Sequence, residues 1–414
     1  MRKNINHIIT SLGRRFNFDA HYFVKNTFWL LVGQAIVSFA SFLLTVALAN
    51  HVSKHDLGDY RLVISIYSTI TFFALSGLAQ ALIRSIVIGK EGSLQVALAL
   101  KKKYSILAGI IGIGFSLYFW YFKNNQIVGI SILIAAICLP IIETYSIYNP
   151  YLQAKHEFRF SSIHTGIVKF VAALAVIVAT YFVPTTIYLV IAFYFTQAIV
   201  TYLQYQYLIK KIPPKNNEVD TTVHSYAKHI TAASALNLIF GQADKFILYH
   251  FFGPVALAQY WIAISLPQEA GRIIGTVAQV AYPRLIKGNH EEDKKKLPKN
   301  LLLFSLFSLT ISILYSLTAH MFFAFFFPAY VGEATKSIVL MFALTVVPHW
   351  FIWQYFTAKG YVKIVYLGNS VEPILQIILY CMLIPFFGVW GLVYSILIKT
   401  ILMNCFSLYI LKRV

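Results

Sequence analysis

Long runs of apolar residues alternate with short polar connections along almost the whole chain. A bilayer core of about 30 Å takes roughly 20 apolar residues in a helix. Twelve runs fit that template, near 26–49, 61–83, 104–122, 127–150, 161–182, 185–208, 229–250, 257–281, 301–326, 337–357, 364–385 and 388–411. The pattern predicts an all-α polytopic membrane protein with twelve transmembrane helices.

The composition of the 414 residues supports this prediction. Apolar residues make up 58% and charged residues 12% of the chain, whereas soluble domains hold roughly 45–50% and about 25%. A mean hydropathy of +0.69 excludes a soluble enzyme or a nucleic-acid-binding domain, despite the net charge of +19. Because the three cysteines lie inside apolar runs and the histidines are scattered, we expect no disulfide framework, metal site or cofactor.

Basic residues are concentrated on one side of the predicted membrane. With a cytoplasmic N-terminus, the inside segments hold 26 of the 34 Lys and Arg residues. The outside connections hold 4, namely Lys54, Arg61 at the border of span 2, Lys123 and Lys336. The side richer in Lys and Arg normally faces the cytoplasm. We therefore expect a cell-membrane protein with both termini in the cytoplasm and four basic residues inside spans, namely Lys169, Lys245, Arg272 and Lys399.

The domain organisation follows from an internal repeat. Eight residues between 57 and 91 recur 200 positions later. The repeat predicts two six-helix bundles in parallel orientation, 26–208 and 229–414, joined by a cytoplasmic linker at 209–228. Residues 1–25 are expected to form a cytoplasmic leader, either an amphipathic helix on the inner leaflet or a disordered segment.

Several segments resemble a known family. The stretches LANHVSKHDLGDYRLVISIYS (48–68) and SGLAQALIRSIV (76–87) are similar to the start of Wzx-type polysaccharide biosynthesis flippases. These belong to the multidrug/oligosaccharidyl-lipid/polysaccharide exporter superfamily. In the second half, Asp244, Tyr260 and Pro283-Arg284 match positions that recur in that family.

The resemblance implies a V-shaped cavity between the bundles, lined by spans 1, 2, 7 and 8. It implies alternating-access transport of a polyprenyl-diphosphate-linked oligosaccharide, an O-antigen or capsule/exopolysaccharide repeat unit, from the cytoplasmic to the outer leaflet. No catalytic residue is expected. The expected partners are this glycan lipid, membrane lipids and other glycan-assembly membrane proteins, without nucleic acid, and the chain is expected to be a monomer.

Ionisable residues inside spans are candidates for function because charge is costly in lipid. A diphosphate crossing the bilayer requires cationic donors, and the fork geometry of Arg suits phosphate. Arg272, deep in span 8, is the first candidate for diphosphate binding, and the alternative is a structural pair with Glu269 on the same helical face. Lys25 and Arg84, at the cytoplasmic ends of spans 1 and 2, are either further diphosphate contacts or topological anchors.

Asp244 and Lys245 are neighbours in span 7, so their side chains point about 100° apart. They and Glu269 are predicted either to bind a coupling ion or to form structural pairs. Lys169 and Lys399 lie in spans that pack outside the central cavity in the resembled family. For these two lysines we favour structural pairs with Glu143 or Glu372 over a substrate contact.

Two other functions compete with the flippase. A cation-coupled multidrug exporter of the same superfamily calls for acidic cavity residues, and the acids in spans 7 and 8 do not outnumber the bases. A membrane-embedded glycan polymerase or ligase calls for a large outside loop. Every outside connection is at most about a dozen residues long, which disfavours the enzyme.

Overall fold

The computed structural model describes residues 20–287, 290–345, 349–358 and 361–413, and within these ranges it contains helices and no β-strand. The helices are α1 (Ala20–His51), α2 (Lys54–Ile70), α3 (Leu78–Val87), α4 (Ser93–Leu117), α5 (Gln126–Tyr145), α6 (Tyr148–Ala154), α7 (Phe158–Phe182), α8 (Thr186–Lys211), α9 (Val223–Ala233), α10 (Ala235–Phe240), α11 (Ala243–Lys287), α12 (His290–Phe326), α13 (Ala334–Thr345), α14 (His349–Ala358) and α15 (Val362–Arg413). Two 3-10 helices, Thr71–Ala74 and Pro328–Glu333, and a π-helical turn, Tyr118–Phe122, complete the set in the same ranges. Of the predicted leader, residues 1–19 lie outside the described residues.

The helices account for the predicted spans. In the described ranges, eight helices are long and apolar enough to cross a membrane, and the bent pair formed by α2 and α3 makes a ninth. One of the eight, 363–412, has 50 residues, enough for two crossings of roughly 20 residues each. The remaining predicted spans contain shorter helices, namely α9, α10 and the start of α11 in 229–250, and α13 and α14 in the described parts of 337–357. The all-α, multi-pass class is confirmed.

Two glycines divide the longest helices into separate spans. Gly253 in α11 has φ 76° and Gly388 in α15 has φ 57°. Positive φ is readily available only to glycine, which has no Cβ. The chain therefore passes from predicted span 7 to span 8, and from span 11 to span 12, through a single residue instead of a loop.

The outer surface of the helices is strongly apolar. Among the large apolar side chains, Phe182, Phe325 and Phe386 are about 80% exposed. Soluble monomers rarely expose contiguous apolar surface of this kind. Helices satisfy their own backbone hydrogen bonds, so such a surface suits contact with lipid.

Predicted span 2 is broken, and a buried lysine stabilises the break. After the 3-10 turn, Leu75 takes the left-handed conformation with φ 57°. Lys101 Nζ of α4 donates to the exposed carbonyl of Ala74 at 2.9 Å and pairs with Glu143 Oε2 of α5, also at 2.9 Å. Of the two acids considered as partners for Lys169 and Lys399, Glu143 is therefore bonded to a different lysine, and neither Lys169 nor Lys399 lies within salt-bridge distance of it in the described ranges.

The two halves contact each other through α2 and α11. At Gly58, an added Cβ would lie 1.9 Å from the carbonyl oxygen of Pro254, so only glycine permits this approach. Further along, Arg61 lies over the ring of Trp261. Positions 61 and 261 correspond in the 200-residue sequence repeat, so corresponding positions of the two halves meet between α2 and α11.

At the opposite end, which the charge pattern predicts to be cytoplasmic, the linker is ordered against the first half. Helix α8 ends at Lys211 and α9 begins at Val223, close to the predicted linker bounds. Glu91 accepts hydrogen bonds from Lys155 Nζ and from the backbone N–H of Lys215, and its pKa is lowered because these bonds outweigh the effect of burial. Asp220 accepts from Thr222 and Ser85, and the bonds from Thr222 lower its pKa most.

Candidate functional site

A cavity of about 290 Å³ lies between the two halves. It is enclosed by α1, α2, α7, α8 and α11, and its polar lining comprises Ser41, Thr45, Arg61, Lys169, Ser265, Gln268, Glu269 and Arg272. We call it the central cavity. Spans 1, 2 and 8 line it as the resemblance implies, but spans 5 and 6 take the place of span 7 among the described lining residues.

Arg61 projects into the central cavity from α2. That helix begins early because Ser53 caps its N-terminus and accepts a hydrogen bond from the backbone N–H of Asp56 at 3.0 Å. Residue 61 is therefore two turns inside a helix, and its assignment to the outside connection is wrong. Its guanidinium carbon lies 3.2 Å from the ring centre of Trp261. Its Nε is buried without a hydrogen-bond acceptor in the described part of the chain.

The stacking on Trp261 gives Arg61 a fixed orientation. A guanidinium over an indole face is attracted by the ring quadrupole, and the attraction grows where water is excluded. Within the described ranges, no carboxylate lies within salt-bridge distance of Arg61. The cation is therefore held by an aromatic ring, and its positive charge is not neutralised by an acid.

Arg272 and Glu269 both line the central cavity and pair with each other one helical turn apart. The sequence leaves two alternatives for Arg272, a position in the cavity and a pair with Glu269, and the structure shows both at once. Ser38 of α1 donates to the second oxygen of Glu269 at 2.7 Å. Glu269 is consequently bonded to a serine of the first half and an arginine of the second, and the side chain of Arg272 stays 45% exposed.

Lys169 lies in the central cavity, contrary to the expectation that it packs outside and pairs with an acid. Its Nζ lies 6.0 Å from the ring centre of Phe193, another lining residue. Glu143 is bonded to Lys101, and Glu372 is bonded to Lys399 at 3.0 Å. The expected pair of Lys399 with Glu372 is confirmed, whereas no carboxylate in the described ranges lies within salt-bridge distance of Lys169.

The charges in the central cavity do not cancel. Its described lining holds three cations, Arg61, Lys169 and Arg272, and one carboxylate, Glu269. Low-dielectric walls focus such an excess of one sign and raise the local concentration of ions of the opposite sign. The arrangement therefore favours an anion, and its two guanidinium groups suit an anion with several oxygen acceptors.

Asp244 and Lys245 are not part of the central-cavity lining. Asp244 is buried, accepts from the hydroxyl of Tyr260 at 2.9 Å, and accepts from Lys245 Nζ at 3.2 Å. The flexible lysine stem thus returns to its neighbour, although the two Cβ atoms point apart. These contacts form a structural pairing, and a coupling-ion role for Asp244 stays a prediction.

The remaining predicted site residues lie near the end that the charge pattern predicts to be cytoplasmic. Arg84 is exposed on α3, and its guanidinium carbon lies 4.6 Å from the ring centre of Tyr226. Lys25 lies on α1, and its side chain is outside the described residues. Neither lines the central cavity as described. No group of three or more His, Cys, Asp or Glu side chains in the described ranges is placed to hold a metal ion.

Sequence comparison connects this architecture with a family. A model described as "Polysaccharide biosynthesis protein" matches residues 23–289, well over half of the chain. The chain belongs to this family. An uncharacterized membrane protein of Methanocaldococcus jannaschii is similar to this chain, with 25% identity over 94% of the chain and 84% of the relative.

Solved structures share the fold of this family member. An inward-facing multidrug resistance MATE family transporter of the MOP superfamily matches with a TM-score of 0.72 at 12% identity, over 92% of this chain and 95% of that one. The lipid II flippase MurJ, in an inward closed conformation, matches with a TM-score of 0.60 at 14% identity, over 92% and 87%. The chain therefore has the two-lobe fold of the MOP superfamily transporters and is a multi-pass membrane protein.

Proposed function

We propose that the chain is a flippase that moves a polyprenyl-diphosphate-linked oligosaccharide from the cytoplasmic to the outer leaflet. The single observation that carries this proposal is the charge of the central cavity, three cations against one carboxylate. Membership of the polysaccharide biosynthesis family and the fold shared with a lipid II flippase support the same substrate class. The orientation follows the 26-to-4 charge imbalance, with both termini in the cytoplasm of a cell membrane.

The cavity suits the transported headgroup. Each phosphate of a diphosphate diester carries a negative charge that is costly to bury in a medium of low dielectric constant. Arg61, fixed on Trp261, and Arg272, positioned by Glu269, would each donate paired N–H groups to phosphate oxygens. Lys169, on α7, would add a third donor on a flexible side chain. The prenyl chain stays in lipid while the headgroup crosses between the two halves.

The alternative, export of cationic drugs, is disfavoured by the same observation. A cationic compound would meet a net positive cavity whose one described carboxylate is already bonded to Arg272 and Ser38. Lys25 and Arg84 remain proposed first contacts for an arriving diphosphate at the cytoplasmic end. Transport as a monomer, with no catalytic step, is part of the proposal.

The test is a flipping assay in proteoliposomes that contain a polyprenyl diphosphate linked to a short oligosaccharide, with appearance of the sugar outside detected by an impermeant lectin. We expect Arg61→Gln to lower the initial rate about tenfold to a hundredfold, because a hydrogen bond to a charged group contributes about 1.5–3 kcal/mol. The initial rate of Arg61→Lys should lie between those of wild type and Arg61→Gln, because lysine keeps the positive charge but lacks the forked pair of N–H donors. Lys102→Gln, which removes an exposed cation outside the cavity, is the matched control.

Two results would refute the proposal. One is a wild-type protein that does not accelerate flipping but expels a cationic dye. The other is equal flipping rates for Arg61→Gln and Lys102→Gln, which would show that the cavity charge has no role in substrate transfer.

A further inference from the structure

A second and larger cavity lies between the two halves at the predicted cytoplasmic end. Its volume is about 680 Å³, inside the range of roughly 300–1,000 Å³ that is typical of small-molecule sites. The start of α3, helices α9 and α10, and residues of α14 and α15 enclose it. We call it the amide cavity because Gln80, Asn237 and Asn369 all line it.

Four polar side chains that line the amide cavity have no hydrogen-bond partner among the described residues. Gln80, Asn237 and Asn369 are exposed to it, and none of the three side chains bonds to another group in the described ranges. Ser76 Oγ, beside them, is buried and has no hydrogen-bond partner there either. A side-chain amide offers two N–H donors and a carbonyl acceptor. The cavity is therefore suited to a ligand that both donates and accepts several hydrogen bonds.

The amide cavity differs from the central cavity in charge. Its described lining contains no Asp, Glu, Lys, Arg or His, whereas the central cavity contains four charged residues. An ionic group that entered it would lose hydration without gaining a counter-charge, which is unfavourable. Hydroxyl and acetamido groups of neutral sugars have the required mixture of donors and acceptors and carry no charge.

The two cavities are linked by one span. Ile64 lines the central cavity and Ser76 lines the amide cavity. The chain between them runs through the end of α2 and the 3-10 turn, at about 1.5 and 2.0 Å per residue, so it covers on the order of 15–20 Å. A single sugar attached to a diphosphate is too short for that distance, whereas a short oligosaccharide can extend across it. The geometry thus requires a substrate with a chain of sugars if both cavities are occupied together.

We propose that the amide cavity binds the neutral oligosaccharide part of the transported lipid while the central cavity binds its diphosphate. This inference rests on the proposed function and narrows the substrate class to glycans whose cytoplasmic-side sugars are uncharged. The amides of Gln80, Asn237 and Asn369 would exchange hydrogen bonds with sugar hydroxyls. Recognition of charge and recognition of sugar would then reside in separate cavities of the same interface.

Binding measurements on the full chain in nanodiscs test the inference with three probes. These are a polyprenyl diphosphate without sugar, the same lipid carrying a short glucose oligosaccharide, and the same lipid carrying glucuronate units. We expect the double variant Asn237→Ala, Asn369→Ala to bind the glucose-bearing lipid about tenfold more weakly and the bare lipid within about twofold of wild type. The exposed amide Gln95, mutated to Ala, is the matched control and should change neither.

A variant that adds a positive charge to the amide cavity provides a second measurement, in which the preference between two lipids changes and binding is not simply lost. Wild type should bind the glucose-bearing lipid at least about tenfold more tightly than the glucuronate-bearing lipid. Asn369→Lys should reverse that preference, because it supplies the missing counter-charge. Equal loss for bare and glucose-bearing lipids in the double variant, or an unchanged preference in Asn369→Lys, would overturn the inference.

The failure of the proposed function has a different signature. If wild type binds neither diphosphate lipid, while free glucose oligosaccharide still binds and the double variant abolishes that binding, the diphosphate assignment of the central cavity is wrong. The saccharide site itself would then stand.

Discussion

The ion pair between Lys101 and Glu143 is expected to be a major determinant of stability, because it joins three helical segments at the break in span 2. Lys101 is 8% exposed and bonds both Ala74 O and Glu143 Oε2. In Lys101→Met the carboxylate loses its cation and the carbonyl loses its donor. Removing one partner of a buried pair costs about 3–5 kcal/mol. Because the Glu143 side chain retains 19% exposure, we expect the lower end, about 3 kcal/mol.

A double-mutant cycle measures the pair itself. The free energy of unfolding is obtained by denaturant titration in mixed lipid–detergent micelles for wild type, Lys101→Met, Glu143→Leu and the double variant. The double variant should be more stable than the sum of the single losses predicts, since apolar residues of similar volume often replace a buried pair with little cost. Lys102→Met is the matched control, because this neighbouring lysine is exposed. Additive single effects, or no loss in Lys101→Met, would refute the reasoning.

Three further predictions concern other contacts. Gly58→Ala should destabilise the protein by about 1–3 kcal/mol through its clash with the second half, whereas Gly114→Ala, with nothing within 4 Å, should be neutral or slightly stabilising in the same unfolding assay. Tyr249→Phe removes the 2.7 Å bond to buried Asp59 and should cost about 2 kcal/mol, with Asp59→Asn recovering part of the loss. Because the pKa of Asp220 is lowered, its contribution to stability is present above its ordinary pKa of 3.8 and disappears as the pH falls further. Asp220→Asn should therefore flatten the acid limb of a stability-against-pH curve, and an unchanged limb would contradict the assignment.

The fold was predictable because lipid imposes a simple rule on the sequence. Every span must bury its backbone polar groups in a helix and present apolar side chains outward, so apolar runs of about 20 residues mark the helices. The same rule explains the errors at the ends. Spans 2 and 3 were predicted to begin at 61 and 104, immediately after or at a basic residue, whereas α2 begins at Lys54 and α4 at Ser93.

Those displaced boundaries concealed the cations that matter. Arg61 and Lys101 were assigned to polar connections because a charged residue lowers the local hydropathy, which ends a predicted span. In the structure both lie inside helices and face the protein interior, one stacked on Trp261 and the other bonded to Glu143. The available signal was Ser53 followed by Asp56, a capping pattern that predicts a helix start eight residues before Arg61. For Lys169, by contrast, the sequence held no sign of which face meets the cavity.

The correspondence of the two halves in the sequence repeat explains why Arg61 of the central cavity is held where they meet. Positions 61 and 261 are equivalent in the repeat and meet between α2 and α11. Two identical halves would place either two arginines in contact, which repel, or two tryptophans, which carry no charge. Divergence to Arg61 on one side and Trp261 on the other gives an attractive contact and orients a cation between the halves. A diphosphate bound there would contact both halves where α2 meets α11. Any movement of one half against the other would therefore change the contacts of the bound diphosphate.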